Sequence, residues 1–310
     1  MTPRTTALRR RIDLVADLRT ELYRRFGSSS NVVGSMVGLK YRNGVPTPSV
    51  GMTFFVRKKR PEAELTGDEL IPRSVRIGRS TITTDVMEWP IMEDQARRSG
   101  IIIYDQSTQG TLTCFGKSPL GRFGVSCGHC LTGLDKNPTT TTPVSFWDPQ
   151  TAQFEAAGET VYVAYSPGTG TPGNFGFLDC GLFSITSPKL QAAFSKARPV
   201  AVVQNIRDLM KKQLVGISTL NAPGFPSPQR HATVVGVEIQ HDTERSDLLL
   251  EVAPPGTFRG DSGMLWLTKQ GQAAAVHARG EIVSSGGSRN TAAMSARRIE
   301  EILGVSLLLP

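Results

Sequence analysis

Apolar residues recur at three- and four-residue steps through Leu8, Ile12, Val15, Leu18, Leu22 and Phe26, with Arg9, Arg10, Arg19, Arg24 and Arg25 between them and Gly27 behind them. That period predicts an amphipathic helix stopped by glycine. Packing the apolar stripe onto the chain's own body is the commoner use of such a helix, and lying on a membrane the rarer one. From Asn31 the pattern changes. The run from Val32 to Tyr41 and the run Met52 to Arg57 flank the turn Arg42-Asn43-Gly44 and read as two strands, and residues 81–89 read as a third. Residues 57–80 look like a charged linker with a short helix around Glu62 to Leu70.

After Gly100, short runs of Val, Ile, Thr and Phe alternate with Gly, Pro, Ser and Asn turns. One series covers Ile101 to Tyr104, Gly110 to Phe115, Phe123 to Ser126, Val144 to Trp147, Val161 to Ala164 and Phe177 to Ile185. A connector around Ser187 to Pro199 leads to a second: Val200 to Gln204, Leu214 to Leu220, Ala232 to Ile239, Leu248 to Val252, Met264 to Thr268 and Ala273 to His277. Two such series predict paired all-β lobes. Asn290 is placed to cap a helix through Met294, Ile299, Ile302 and Leu303, ended by Gly304. The organisation expected is an α+β module over residues 1–95, with its boundary near Glu93 to Ser99, then a β domain over 96–310. Its first lobe spans about 100–190, its second about 200–290, and a C-terminal helix covers 291–303.

Composition narrows the class. At 310 residues, with 39% hydrophobic residues, 31 Gly and 20 Pro, the chain can bury a full core and suits a β-rich globule. The net charge of +8 is lopsided: residues 1–100 hold 18 Lys and Arg against 11 Asp and Glu, and the rest is nearly balanced. A basic surplus can steer an acidic partner, although a solvated face is its ordinary meaning. The triple arginine Arg9 to Arg11 and the run Arg57 to Arg60 lack the aromatic interleaving of a single-strand binder, so nucleic acid is not favoured. The basic N-terminus is followed by an amphipathic stretch rather than an apolar one, and no run has the length of about 18 apolar residues that a membrane span needs. A cytoplasmic location is the expectation. There the four cysteines, Cys114, Cys127, Cys130 and Cys180, are expected as thiols.

The sharpest motif is Arg259-Gly260-Asp261-Ser262-Gly263. A serine hydroxyl needs a base to take its proton and backbone N–H donors for the oxyanion, and flanking glycines let the backbone turn tightly enough to supply them. Upstream, Gly110-Thr-Leu-Thr-Cys114 leads to Gly124-Val-Ser-Cys-Gly-His129-Cys130. This resembles the first-lobe hairpin of chymotrypsin-like serine proteases, and the Cys114 to Cys130 step looks like that family's cysteine pair, a disulfide in its secreted members. Cys127 and Gly128 stand where the family usually has alanines. The segment Phe177-Leu178-Asp179-Cys180-Gly181-Leu182 resembles the family's segment with an aspartate opening an apolar strand; Asp135 and Asp148 open none.

The resemblance implies two six-stranded antiparallel barrels and a serine endopeptidase acting on protein or peptide substrates. Ser262 would be its nucleophile, His129 its base and Asp179 the orienting carboxylate, with Gly260 and Ser262 as oxyanion donors and no metal or cofactor. It also implies that Gly256 lies at the base of the first specificity pocket and that His277 and Arg279 lie on its wall, where either would suit an acidic or amide side chain. Along Gly38-Leu39-Lys40-Tyr41-Arg42-Asn43-Gly44-Val45-Pro46-Thr47, the N-terminal module is similar to the leader region of bacterial intracellular trypsin-like peptidases, and its charge makes it the place for a protein partner. Two other chemistries fit the residues less well. Disulfide exchange at Cys127-Gly-His-Cys130 wants a long following helix, whereas Leu131 to Pro138 is turn-rich. Zinc at Cys127, His129 and Cys130 lacks a second cysteine pair. A protease fold kept as a binding module without turnover is the alternative function.

Overall fold

The computed structural model describes residues 3–67, 69–89, 92–94, 104–105, 108–132, 141–148, 150–151, 153–166, 178–217, 229–241, 245–282 and 286–309. The expected strand segment Ile101 to Ile103, the boundary residues 95–99, Asp135, Phe177 and the strand end 218–220 lie outside these.

Six strands pair antiparallel in the order Gln213–Ile217, Gln229–His241, Arg245–Val252, Asn290–Ser295, Ala273–Glu281 and Leu265–Thr268. The last returns to the first: Val215 stands opposite His231 on one side and Leu267 on the other, so the barrel closes. Leu214, Val234, Leu248, Leu250 and Trp266 are buried in it. Closure removes the exposed sheet edges that would otherwise seek partners.

The sixth strand corrects one expectation. Residues 290–295 form a strand between Arg245–Val252 and Ala273–Glu281, with Ala293 opposite both Leu248 and His277, and the helix begins only at Ala296 and runs to Leu303. Gly304 ends it at φ 62°. The run Thr291-Ala292-Ala293-Met294 is compatible with a helix locally, but its residues are buried on both faces, and pairing on both sides decides their state. The chain then makes an unforeseen strand, Ser306–Leu309, which pairs with Cys114–Ser118.

That pairing ties the chain's end to the other lobe. Its sheet continues through Gly121–Ser126, Leu178–Ser184, Gln153–Ser166 and Pro143–Asp148, with Leu131, Val144, Val163 and Phe183 buried against one another. The strand expected from Gly110 starts only at Cys114, and Val200 to Gln204 contribute only a bridge, Val202 to Ala273. The connector holds a helix, Pro188–Lys196, whose first turn is capped by the Ser187 side chain. A closed antiparallel barrel beside a second β lobe is the mainly β, double-barrel layout of the chymotrypsin-like fold.

The N-terminal residues pair with the barrel and pack against it. The hairpin Val32–Arg42 and Val45–Val56 turns at Asn43 and Gly44, both at positive φ, as a two-residue hairpin loop requires. Its first strand pairs with the far end of Gln229–His241, Val37 opposite Val237. Ser80–Glu88 adds in parallel to Val45–Val56, and Ser74–Ile77 follows. The helix Pro3–Phe26 buries Ile12, Val15 and Leu22 in one core with Met36, Phe54, Val235 and Leu249. Its apolar stripe is therefore covered by the chain itself. Arg207 binds Asp13 at 2.9 Å and Glu238 at 2.5 Å, linking helix to barrel. The short helix expected around Glu62 to Leu70 is only a 3₁₀ turn, Glu62–Glu64, with no buried residue. A short helix without an apolar face to pack does not hold in water.

Candidate active site

His129 sits in the one-turn helix Gly128–Leu131, placed by the strand Gly121–Ser126 that precedes it. Asp179 is the second residue of the adjacent strand Leu178–Ser184, paired at Gly181 with Ser126. Gly128 lies against the Asp179 carboxylate: a β-carbon there would stand 3.3 Å from its Oδ1. The first lobe thus brings the imidazole and the carboxylate together. His129 Nδ1 is 2.7 Å from Asp179 Oδ2, and the His129 backbone N–H donates to Oδ1 at 2.8 Å.

Ser262 comes from the second lobe, on the loop between Arg245–Val252 and Leu265–Thr268. Its Oγ is 2.9 Å from His129 Nε2 and 3.1 Å from the Ala278 carbonyl. Asp179 and Ser262 are 0% exposed and His129 3%. The loop is held by the Asp261 carboxylate accepting the Phe258 N–H, and by the Gly263 N–H donating to the His277 carbonyl at 2.9 Å. Gly260 at φ 105° and Gly263 at φ 94° take conformations that side chains strain against. At Gly263 a β-carbon would also fall 2.1 Å from the Thr111 carbonyl oxygen. Among the described residues, the N–H groups of Gly260 and Ser262 donate no backbone-to-backbone hydrogen bond.

Electrostatics follow from this packing. Burial opposes a charged imidazole at His129, yet the Asp179 carboxylate and the neighbouring Cys130 sulfur outweigh it and hold its pKa well above the ordinary histidine value. Burial and the nearby His129 lower His277 to about 3, so that ring is neutral. Burial foremost raises the Cys127 thiol. All four cysteines are buried and free of disulfide bonds, Cys114 and Cys130 included.

Gly256, at φ 85°, abuts residues 287 and 288, and a β-carbon there would sit 2.6 Å from the Ser288 carbonyl oxygen. Thr257 and Ser288 bridge beside it. The strand Ala273–Glu281 passes Ser262 at Ala278; Arg279 on it is half-buried, and His277 is wholly buried beside Trp266, with ring centroids 6.3 Å apart. The competitor Asp148 is bound by Lys189 at 2.5 Å and by Thr151, in the first lobe.

Three contributors lay outside the sequence expectation. Thr111 joins the lobes: its N–H donates to the Ser262 carbonyl at 2.7 Å, its hydroxyl to the Gly260 carbonyl at 2.8 Å, and its own carbonyl accepts the Ser126 hydroxyl at 2.9 Å. Cys127 donates its thiol to the His277 carbonyl at 3.1 Å, again across the lobes. Arg230, 1% exposed, brings its guanidinium to 3.9 Å from the Asp261 carboxylate and over the Phe258 ring. A threonine in a loop and an arginine at a strand start carry no local mark of such roles; only for Cys127, inside the histidine motif, did the sequence offer a signal.

Cys127, His129 and Asp179 each place one donor atom within 4.8 Å of the others and are the described residues most able to hold a metal ion. The Asp179 carboxylate, however, is already bound twice by His129.

No protein-family model and no curated protein matches the chain. Among solved structures it is similar to a glutamic acid specific serine protease described as using a histidine triad in substrate binding, at 11% identity and TM-score 0.44 over 66% of this chain and 97% of that one. It is similar to Protease A of Thermobifida fusca at 14% identity and TM-score 0.42, over 68% and 97%. A third is the MamO protease domain of Magnetospirillum magneticum, at 13% and 0.37, over 69% and 96%. With every score this low, the likeness rests on the chain's own strand order and on a site assembled from two lobes. By those two features the chain resembles the chymotrypsin-like serine proteases.

Proposed function

We propose that the chain is a serine endopeptidase using Ser262, His129 and Asp179. The observation that carries this reading is the unbroken line Ser262 Oγ, His129 Nε2, His129 Nδ1, Asp179 Oδ2, with contacts of 2.9 and 2.7 Å, assembled across two lobes. Ser262 attacks the peptide carbonyl as His129 takes its proton at Nε2. Asp179 fixes the tautomer with Nε2 free and stabilises the imidazolium. The developing oxyanion meets the Gly260 and Ser262 N–H groups, a donor type worth about 10²–10³ in rate. His129 then protonates the leaving amine, and water releases the acyl-enzyme by the same steps. Thr111 and Arg230 hold the loop that carries nucleophile and donors. Gly256 and Arg279 border the first specificity pocket, Arg279 favouring an acidic side chain; His277, buried and neutral, supports the wall from behind.

The near-complete burial of the three residues favours a second reading, a closed protease fold that binds without turnover. Labelling of purified protein with a fluorophosphonate, with the adduct located by mass spectrometry, separates the two. An adduct on Ser262 that is absent from Ser262→Ala and His129→Ala supports the peptidase; an unlabelled wild type supports the closed module.

A further inference from the structure

The N-terminal sheet holds a cleft of about 700 Å³ between the hairpin, the 3₁₀ turn and the strand Ser80–Glu88. That volume lies in the range of small-molecule sites, about 300–1,000 Å³. Six cations line it, Lys40, Arg42, Lys58, Lys59, Arg60 and Arg73, against the carboxylates Glu62, Glu69 and Asp85. Two of those carboxylates are consumed locally. Glu69 binds Arg60 and the Thr66 N–H and hydroxyl, and Asp85 accepts the N–H groups of Tyr41 at 2.6 Å and Val86 at 2.9 Å. Lys40 and Lys59 each give one bond to a strand carbonyl, Thr84 and Val86, which leaves their remaining ammonium donors for another acceptor.

Arg42, Lys58 and Arg73 are exposed, and among the described residues their side chains make no hydrogen bond or ion pair. Like charges gathered round a concavity repel one another, and an anion seated between them relieves that repulsion. The cleft is not wholly polar. Tyr41, Val56, Leu70, Ile71 and Val86 form an apolar wall with one aromatic ring.

We propose that this cleft is a binding site for a nucleoside polyphosphate, its phosphates held by Arg42, Lys58 and Arg73 and its base against Tyr41 and the aliphatic wall. Guanidinium groups suit phosphate oxygens through paired N–H donors, and lysine adds a point charge. The site shares no residue with the proposed active site, and its occupancy is measured independently of peptidase activity.

The test is calorimetric titration of the full chain with ADP, adenosine and inorganic pyrophosphate, repeated on the double variant Lys58→Glu, Arg73→Glu. The expected result is that ADP binds at least tenfold more tightly than either fragment, that its affinity weakens with salt, and that the variant loses at least about tenfold. Both substituted residues are exposed, so an unchanged melting temperature and unchanged fluorophosphonate labelling show that the fold persists. No heat from ADP up to about 1 mM, pyrophosphate binding as tightly as ADP, or undiminished ADP binding by the folded variant overturns the proposal.

Discussion

Replacing Asp179 by Asn should leave the fold standing and remove the chemistry. The carboxylate is 0% exposed and accepts two hydrogen bonds, from the His129 ring at 2.7 Å and from the His129 backbone N–H at 2.8 Å. An amide of the same shape has one acceptor oxygen and one NH₂. If the NH₂ faced the backbone N–H, two donors would oppose each other in a dry site, at a cost of about 1–3 kcal/mol. The oxygen therefore keeps the backbone N–H, and the NH₂ donates to Nδ1. The imidazole must then carry its proton on Nε2, which points at Ser262 Oγ and cannot accept its proton. Loss of the correct tautomer is worth about 10⁴ in rate, or about 5 kcal/mol of barrier. The assay is the second-order rate of fluorophosphonate labelling near neutral pH, with a thermal melt alongside. A labelling rate within about threefold of wild type would refute the role given to Asp179. A loss of labelling accompanied by a collapsed melt would show that the carboxylate serves the fold instead.

Other expectations concern pH, packing and the N-terminal segment. His129, its pKa raised in the folded protein, contributes stability that is complete below the unfolded value of about 6.5 and lost as pH rises through the folded value. Since only its neutral form is a base, the labelling rate should rise across that same limb, and a limb at or below about 6.5 would contradict the assignment. His277 has the opposite sign: with a folded value of about 3, its contribution is complete above about 6.5 and lost on acidification, about 2 kcal/mol by about pH 5. His277→Gln should flatten the acid side of the stability curve, and parallel curves for variant and wild type would exclude this histidine as the cause. At Gly124 a β-carbon would fall 1.9 Å from the buried Phe183 ring, so Gly124→Ala should cost about 1–3 kcal/mol in urea unfolding. Adding Phe183→Leu should recover part of that loss, and strictly additive costs would exclude the clash. Removing residues 1–95 strips the cover from Val235, Val237 and Leu249, and should yield aggregated protein by size-exclusion chromatography. A monomeric, cooperatively melting remainder would show that the N-terminal segment is a separable module.

The sequence by itself determined the local elements that carry a strong period or a sharp turn. The stripe from Leu8 to Phe26 specified the first helix, Asn43-Gly44 specified the hairpin, and turn-punctuated apolar runs specified most strands of both lobes. Through the resemblance of three of its segments to chymotrypsin-like motifs, it also nominated His129, Asp179 and Ser262. Tertiary structure decided what depends on distant partners. Residues 291–294 became a strand because a barrel needed its sixth member between Leu248 and His277, and no neighbour in sequence conveys that. The N-terminal strands joined the barrel through Val37 and Val237, which lie far apart in the chain. Thr111 on the Ser262 carbonyl and Arg230 opposite Asp261 were invisible for the same reason. Local pattern reports how a residue sits on its own element, whereas burial of a charge or a bond between lobes is fixed only when the elements meet.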